Sequence, residues 1–364
     1  MLPLPKSTLL NQNIDRGKLR RNKDRDPSLL WLDRNENTDP ILAQLTGKLL
    51  KEIIPIQCIS VYPEITNFYD RLSKYLNFPD SNIIVSTGSD GVIRSVYEAY
   101  CSEGDKVVIT NPSYAMYEIY GSMYGADLIK YDYLTTKDGP KLDFTAFMSS
   151  IEKIKPKIIF IANPDSPTGT VVQESKLLGL IKLASDIGSL IVIDEAYYPF
   201  YNHTMINYCN SYKNLIVIRT FSKAWGISGI RIGFGVGHEE VISMLRRVRS
   251  SYETNFIGIQ IANKMLDYED EVYASVKRLN EGRDFFYLKM HEFGLKTIKP
   301  NANFLHVKFD IYEKEIREVL SDIVLYRNKF DHCSLKGYSR FSTTTKDLFI
   351  PIVNAIEKIV KKNK

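Results

Sequence analysis

The chain has 364 residues, of which 44% are hydrophobic and 25% charged, and its formal net charge is +5 at pH 7. This composition is ordinary for a globular protein of about two domains. No run approaches the ~18 apolar residues of a membrane span, and the N-terminal apolar stretch is too short for a signal peptide, so we expect a cytoplasmic protein. The four cysteines and five histidines are scattered without a CxxC pair, which argues against both a metal site and a disulfide framework.

The positive charge is concentrated near the N-terminus. Six basic residues lie between Arg16 and Arg25, and the C-terminal tail is also basic. No aromatic interleaving or DNA-binding motif accompanies them, so we predict no nucleic-acid partner. Residues 1–30 are predicted to form an N-terminal arm.

Trp31 begins a short strand that continues into a polar loop, and helical spacing of apolar residues follows at 41–54 and 68–76. From residue 83 onwards, short apolar runs alternate with amphipathic helical patterns. Strands are predicted at residues 83–86, 106–110, 126–131, 157–162, 190–194, 215–219 and 230–236. Helices are predicted at residues 90–100, 114–124, 143–153 and 173–187. This alternation predicts an α/β protein with a seven-stranded, mostly parallel sheet between helices.

The last third of the chain has a different pattern. A long charged helix starts near residue 269, and strands at 304–309, 324–326 and 338–342 precede a closing helix at 347–361. We therefore expect a small α+β domain from residues 31–60 and 270–364, and a large domain from residues 61–269.

Polar residues follow the predicted strands at their carboxyl ends, where parallel sheets bind ligands. The first strand runs into Gly88, Ser89 and Asp90, whose backbone N–H groups at a helix start would hold a phosphate. The alternative is a capping turn. Tyr114 follows the second strand, where it either stacks on a flat ring or packs in the core.

Two further strands end in groups that suit a pyridine ring. Asn163 lies in a loop stiffened by two prolines, so its amide could donate to a ring hydroxyl. Asp194 closes an apolar run, and a protonated ring nitrogen would be a suitable partner for its carboxylate. Holding that proton two pKa units above its free value takes about 2.7 kcal/mol, within reach of one close charge pair. The alternative for Asp194 is that it only caps the next turn. Tyr197, three residues further on, could hydrogen-bond the ring oxygen.

Lys223 follows the strand at 215–219 and precedes a glycine-rich stretch. Limited access of solvent to Lys223 would lower the pKa of its amine and make the amine a nucleophile that can form a Schiff base. The alternative is an exposed lysine in a flexible loop, which is the commoner case. Thr220, Ser222 and Arg231 would complete the phosphate site. One flat, phosphorylated pyridine aldehyde, pyridoxal phosphate, would use all of these groups. The sequence thus predicts a catalytic set of Lys223, Asp194 and Tyr197.

Five motifs carry a family resemblance: STGSD (86–90), NPSY (111–114), ANPDSPTG (162–169), IDEAY (193–197) and FSKAWGISGIRIG (221–233). With them the chain is similar to the fold-type I pyridoxal-phosphate enzymes, the class I and II aminotransferases, and most resembles their histidinol-phosphate aminotransferase branch. The resemblance implies a homodimer with its active site at the interface. It also implies that Tyr62 reaches the phosphate of the partner subunit's cofactor.

The resemblance extends to the substrate. Arg340 matches the arginine that binds the substrate α-carboxylate, and Arg327 matches the position that binds a substrate phosphate; the alternative for Arg327 is a surface salt bridge. Asn35 is expected at the substrate, in a stretch that departs from the usual Asn-Glu-x-Pro. The aromatic residue of the imidazole pocket has no match, which favours a smaller phosphorylated amine or ketone.

The predicted reaction is transfer of an amino group between an amino acid and such a substrate, with Lys223 as the base and acid at the α-carbon. The first alternative is decarboxylation of an O-phospho amino acid, as in the similar threonine-phosphate decarboxylases. A non-catalytic binding module is a second alternative. It is disfavoured because such a protein would be expected to lack some of the cofactor-binding residues, all of which are present here. A dinucleotide oxidoreductase is disfavoured because Gly233, Gly235 and Gly237 open no helix.

Overall fold

The computed structural model describes residues 6–10, 24–53, 60–299 and 301–362. The basic residues from 16 to 23, which are part of the predicted arm, lie outside the described residues, as does Cys58. The other cysteines, Cys101, Cys209 and Cys333, are free thiols. No described helix is long and apolar enough to cross a membrane.

The strands and helices alternate through most of the chain. The strands are β1 (Leu30–Trp31), β2 (Ile83–Ser86), β3 (Lys106–Asn111), β4 (Asp127–Asp132), β5 (Leu134–Thr136), β6 (Gly139–Lys141), β7 (Ile158–Ala162), β8 (Leu190–Asp194), β9 (Leu215–Thr220), β10 (Gly233–Gly237), β11 (Lys296–Ile298), β12 (Phe304–Lys308), β13 (Val324–Leu325) and β14 (Tyr338–Ser342). The helices are α1 (Pro40–Ile53), α2 (Thr66–Leu76), α3 (Gly88–Tyr100), α4 (Ala115–Tyr124), α5 (Phe144–Ile154), α6 (Glu174–Asp186), α7 (Glu239–Val248), α8 (Phe256–Met265), α9 (Glu269–Glu292), α10 (Glu313–Leu320) and α11 (Lys346–Lys362).

The largest sheet has seven strands in the order β2-β10-β9-β8-β7-β3-β4. All neighbouring pairs are parallel except those of β10, which runs antiparallel to both β2 and β9. The predicted seven-stranded, mostly parallel sheet is therefore confirmed. The strand predicted at 230–236 begins only at Gly233, because residues 228–230 form a 3-10 turn and Arg231 has a left-handed φ of 58°.

Helices cover both faces of this sheet. The fully buried strands β7, β8 and β9 are continuous apolar runs, as expected for parallel strands with two covered faces. Successive side chains point to opposite faces. Ile159 and Val217 thus belong to one core, and Phe160 and Ile216 to the other. This burial leaves the carboxyl ends of the strands as the place where polar side chains meet.

A second sheet, β11-β12-β14, is antiparallel and packs with α9, α10 and α11 around Phe286, Phe341 and Phe349. Helix α9 contributes to two cores: Val272 packs with the large sheet, while Phe286 packs with the small one. Leu42 of α1 also packs with the large sheet. The domain boundaries given above stay a prediction.

Candidate active site

A cavity of about 480 Å³ opens at the carboxyl ends of β7, β8 and β9. It brings together twelve of the predicted site residues: Asn35, Ser89, Asp90, Tyr114, Asp194, Tyr197, Thr220, Ser222, Lys223, Arg231, Arg327 and Arg340. Tyr62 is not among the lining residues. It is 70% exposed and stacks on Tyr252, with ring centroids 4.1 Å apart.

One end of the cavity is a cradle at the N-terminus of α3. Gly88 has a φ of +75°, a conformation that favours glycine, and a Cβ there would lie 3.0 Å from Nη2 of Arg231. A Cβ at Gly233 would come within 2.4 Å of the Gly88 carbonyl carbon and the Ser89 nitrogen. The close approach of backbone and guanidinium therefore depends on glycine at both positions.

The cradle combines a cation with two hydroxyl groups. Nη1 of Arg231 donates to Oγ of Ser222 at 3.2 Å, and Oγ1 of Thr220 donates to the same oxygen at 3.0 Å. Ser89 and Asp90 lie in the first turn of α3, where free N–H groups and the helix dipole favour an anion. Tyr120 holds Asp90 by donating to Oδ2 at 3.0 Å.

Asp194 ends β8 deep in the cavity and is 5% exposed. The hydroxyl of Tyr117 donates to its Oδ2 at 2.7 Å, and the backbone N–H of Ala196 donates to Oδ1 at 2.9 Å. Burial raises the pKa of the Asp194 carboxyl to about 6, although these two hydrogen bonds oppose the shift. The carboxylate is thus suited to a cationic partner on the cavity side.

The amine of Lys223 faces the same space, and its Nζ donates to the carbonyl oxygen of Arg34 at 3.1 Å. Burial lowers the pKa of Lys223 to about 8, and the positive charges of Arg340 and Arg231 add to this effect. A substantial fraction of this amine is therefore neutral near physiological pH, which both a nucleophile and a proton acceptor require.

Asn35 and Tyr197 both line the cavity, and Nδ2 of Asn35 donates to the Tyr197 hydroxyl at 2.8 Å. Asn35 has a left-handed φ of 57°. Its backbone N–H donates to Oγ of Ser342 at 2.8 Å, and Nδ2 of Asn303 donates to its carbonyl at 3.0 Å. The second sheet thereby holds the loop of Asn35 over the cavity.

Asn163 is buried beside the cavity but is not among its lining residues, and its amide pairs with both backbone groups of Val172. Its Oδ1 accepts from the N–H of Val172 at 2.8 Å, and its Nδ2 donates to the Val172 carbonyl at 3.2 Å. An amide nitrogen has two hydrogens, so one remains for a ligand.

Arg340 and Arg327 form the cationic end of the cavity. Nη2 of Arg340 donates to the Asp33 carbonyl at 3.1 Å, and burial lowers the pKa of this guanidinium to about 10. The ring of Phe330 contacts both arginines, with its centroid 4.7 Å from Cζ of Arg327 and 6.0 Å from Cζ of Arg340. The arrangement can bind one anion bearing two charges, or two anionic groups close together.

The comparisons with known proteins agree with this geometry. The family model for aminotransferase class I and II matches residues 28–356. The chain belongs to this family. It is 30% identical over 332 residues to the histidinol-phosphate aminotransferase of Caldanaerobacter subterraneus subsp. tengcongensis, covering 90% of this chain and 92% of that protein.

Two further comparisons cover most of this aminotransferase. It is 32% identical to the histidinol-phosphate aminotransferase of Pyrococcus furiosus over 289 residues, covering 78% of this chain and 80% of that one. The crystal structure of histidinol-phosphate aminotransferase from Sinorhizobium meliloti in complex with pyridoxal-5'-phosphate has the same fold, with a TM-score of 0.81 at 18% identity and coverage of 100% and 99%. Membership of the family confirms the predictions of a transaminase and of pyridoxal phosphate as its cofactor.

The residues of this aminotransferase fit that cofactor. The cradle of Gly88, Ser222 and Arg231 suits a phosphate dianion, and the buried carboxylate of Asp194 suits a protonated ring nitrogen. Lys223 provides a partly neutral amine in the same cavity. Among the described residues there is no group of His, Cys, Asp and Glu suited to a metal ion.

The glycines that could suggest a dinucleotide site have a packing role. Gly233, Gly235 and Gly237 lie within β10, and a Cβ at Gly235 would meet Cγ1 of Val92 at 2.9 Å. Gly233 and Gly235 bring α3 close to the sheet, whereas a Cβ at Gly237 would meet the Leu215 carbonyl oxygen of β9 at 3.1 Å.

Several residues that contact the site are not assigned from the sequence, and Tyr117 and Phe330 are two of them. The Tyr117 hydroxyl donates to Asp194, and its position three residues after Tyr114 in the predicted helix at 114–124 is the signal that both reach the same region. Phe330 lies in an irregular segment between the two arginines, where no periodic pattern exists to predict its position.

Proposed function

We propose that this aminotransferase transfers an amino group between an amino-acid donor and a small phosphorylated ketone or amine. The observation that carries the proposal is the position of Arg340 and Arg327, which line the same cavity as Lys223. One guanidinium suits a carboxylate, and a second one beside it suits the additional charge of a phosphate. The relatives named above act, by their names, on a phosphorylated compound, which agrees with this arrangement.

When bound, pyridoxal phosphate supplies a conjugated ring that withdraws electrons from the substrate α-carbon. The residues of the chain provide the proton transfers and the positioning. Lys223 takes the proton from the α-carbon and returns it on the way to product, because a pKa of about 8 lets its amine both accept and release a proton near neutrality.

The neighbouring groups orient the reactants around Lys223. Asp194 would pair with the protonated ring nitrogen, and Tyr197 and Asn163, which each have hydrogen-bonding capacity left, would hold the ring oxygen. Tyr114, which is 38% exposed, lies at the cavity wall where it can cover the ring face. Arg340 binds the substrate carboxylate in a bidentate manner, and Asn35 fixes the Tyr197 hydroxyl.

A homodimer with a shared active site belongs to the same proposal. The stacked pair of Tyr62 and Tyr252 is exposed, at 70% and 59%. Aromatic pairs with this much exposed surface are typical of interfaces. In the dimer, Tyr62 would extend to the phosphate cradle of the partner subunit. The cytoplasmic location stays a prediction.

A half-reaction screen tests the reaction type. The protein loaded with pyridoxal phosphate is mixed with single amino acids or phosphorylated amines, and the absorption spectrum reports conversion of the cofactor to its amine form. We expect conversion with an amino-acid donor and with phosphorylated amines, and none in the Lys223→Ala variant. Release of CO2 from an O-phospho amino acid without cofactor conversion would instead establish decarboxylation and overturn the proposal.

A further inference from the structure

A tyrosine hydroxyl is buried against the carboxylate that faces the cofactor ring. The Tyr117 hydroxyl donates to Oδ2 of Asp194 at 2.7 Å; Tyr117 is fully buried and Asp194 is 5% exposed. We propose that Tyr117 is a positioning residue of the cofactor site, which keeps Asp194 ionised and oriented toward the ring nitrogen. This inference rests on the proposed function, since it assigns to Asp194 the role of pairing with that nitrogen.

The position of the Tyr117 hydroxyl is set by packing. Its ring stacks on Phe160 of β7 with centroids 5.0 Å apart, and Phe160 stacks on Tyr97 of α3 at 5.1 Å. Tyr114 meets the Tyr117 ring edge-on at 5.7 Å. Because these contacts hold the Tyr117 ring on several sides, its hydroxyl stays directed at Asp194 in the folded structure.

Two donors fix the plane of the Asp194 carboxylate. The N–H of Ala196 donates to Oδ1 at 2.9 Å and the Tyr117 hydroxyl to Oδ2. Each carboxylate oxygen can accept more than one hydrogen bond, so capacity remains for the ring nitrogen. Because a hydrogen bond donated to a carboxylate favours its charged form, Tyr117 opposes the effect of burial, which raises the pKa of Asp194.

Other groups that face Asp194 act in different ways. The charge of Glu195 raises the pKa of Asp194, and the charge of Lys223 lowers it. Tyr114 and Tyr197 are close enough for Asp194 to affect them, and burial raises the pKa of both hydroxyls, so they stay neutral in the pH range of interest. Tyr117 is therefore the neutral donor on which the ionisation of Asp194 depends most directly.

The consequence is a specific pH dependence of cofactor binding. If Asp194 carries its own proton, a ligand with a protonated ring nitrogen can bind only after one proton leaves. Affinity then falls by about tenfold for each pH unit below the pKa of Asp194 in the free protein. Loss of the Tyr117 hydrogen bond raises that pKa, so the fall begins at higher pH.

The test uses Tyr117→Phe, which keeps the stacked ring and removes only the hydroxyl. The dissociation constant of pyridoxamine 5'-phosphate is measured between pH 5.5 and 8.5 in ligand-free protein; this probe lacks the aldehyde, so the reaction of Lys223 does not contribute. We expect similar affinity at pH 8, about fivefold weaker binding than wild type at pH 6, and an upward shift of about one pH unit in the profile. Titration of the ligand phosphate affects both proteins equally and cancels in the comparison.

Tyr97→Phe is the matched control, because the Tyr97 hydroxyl is also buried in this ring cluster but donates to the Tyr117 carbonyl at 2.7 Å. Its profile should follow wild type. In an Asp194→Asn background, Tyr117→Phe should produce no shift, because no carboxyl remains to titrate.

Each outcome has a definite meaning. A Tyr117→Phe profile parallel to wild type, or an equal shift in Tyr97→Phe or in the Asp194→Asn background, would overturn the inference. Failure of the wild-type protein to bind pyridoxamine 5'-phosphate or pyridoxal phosphate at pH 8 would instead overturn the proposed function. Thermal unfolding at pH 8 verifies that both tyrosine variants fold.

Discussion

Arg327 and Arg340 face each other directly across an antiparallel bridge. The N–H of Arg327 donates to the Arg340 carbonyl at 3.0 Å, and the N–H of Arg340 donates to the Arg327 carbonyl at 2.7 Å. Side chains of such a pair leave the strands on the same face, about 5 Å apart at Cβ. Two guanidinium groups thus start from neighbouring points and share the Phe330 ring, which favours a substrate with concentrated negative charge.

Replacement of Arg327 should separate the phosphorylated substrate from the amino donor. Arg327→Gln removes a charge that the proposal assigns to the substrate phosphate. Loss of one charge-assisted hydrogen bond of about 1.5–3 kcal/mol predicts a KM for the phosphorylated substrate about 10–100-fold higher. The half-reaction with a donor that carries only carboxylates should change less than about threefold. Stopped-flow spectra of the two half-reactions provide both values.

Lys329→Gln is the matched control for Arg327→Gln. Lys329 lies two residues further along the same segment, but its amine is exposed and 3.7 Å from a carboxylate oxygen of Asp331. Its removal should leave both half-reactions unchanged, because exposed ion pairs contribute little. An equal loss with both variants, or an equal effect of Arg327→Gln on both half-reactions, would contradict the assigned role.

Much of the fold could be predicted because burial leaves a local pattern. The apolar runs that became β7, β8 and β9 are buried on both faces, and their continuous hydrophobicity marks them in the sequence. The polar groups at their ends, including Asp194 and Lys223, were placed at one edge of the sheet by the rule for parallel strands. No local sequence pattern indicates that β10 lies between β2 and β9 and runs antiparallel to both.

The contacts that complete the site could not be predicted, since they join distant parts of the chain. Asn35 reaches Tyr197 only because Ser342 and Asn303 hold its backbone, and these residues lie more than 260 positions away in sequence. The hydrogen bond of Tyr117 to Asp194 depends on how α4 packs against β7 and β8. The spacing of residues along one helix or strand does not indicate which residues of distant elements they will contact.

The rate of cofactor capture should depend on the ionisation of Lys223. Since burial lowers the pKa of Lys223 to about 8, the amine is mostly protonated below that pH and mostly neutral above it. The second-order rate of binding of pyridoxal phosphate should therefore rise by about tenfold per pH unit up to about pH 8 and then level off. Rapid-mixing absorbance of ligand-free protein from pH 6 to 10 measures this profile.

Arg340 supplies an internal check on that profile. Its positive charge helps to lower the pKa of Lys223, so Arg340→Gln should move the midpoint to higher pH. Arg94→Gln removes an arginine that is 58% exposed on α3 and should leave the midpoint unchanged. A midpoint that stays fixed in Arg340→Gln would show that this charge does not act on Lys223.

Gly88→Ala should weaken cofactor binding more than it affects the fold. Gly88 has a φ of +75°, and the added Cβ would lie 3.0 Å from Nη2 of Arg231, so the backbone is strained and the guanidinium must shift by a few tenths of an ångström within the phosphate cradle. We expect an affinity for pyridoxal phosphate at least about tenfold lower, and a loss of about 1 kcal/mol in the free energy of unfolding. Fluorescence titration and urea unfolding measure the two quantities.

Gly104→Ala isolates the backbone part of that effect. Gly104 has a similar φ of +83°, but a Cβ there would meet nothing within 4 Å. The variant should show the same loss of stability with unchanged cofactor affinity. Equal affinities in Gly88→Ala and wild type would mean that the cradle is not where the phosphate binds.

Asp165 should make the stability of the ligand-free protein depend on pH. It is fully buried, and its carboxylate accepts from Oγ of Ser113 at 2.6 Å and from Oγ1 of Thr168 at 2.8 Å. Burial raises the pKa of Asp165 to about 6 from an ordinary value of 3.8. The folded state therefore binds this proton more tightly than the unfolded state, so the stabilisation is complete below pH 4 and is lost as the pH rises through about 6. For one carboxyl the change is about 3 kcal/mol at most.

Asp165→Asn removes this titration while retaining an acceptor for Thr168. The free energy of unfolding of the variant, relative to wild type, should increase by about 2 kcal/mol between pH 4.5 and pH 7.5, because only the wild type loses the contribution of the protonated carboxyl. Urea unfolding of ligand-free protein at the two pH values measures the difference, with Asp186→Asn on the exposed surface of α6 as the control. A constant difference between Asp165→Asn and wild type would show that the Asp165 carboxyl stays ionised in the folded protein throughout this range, held by its hydroxyl donors despite its burial.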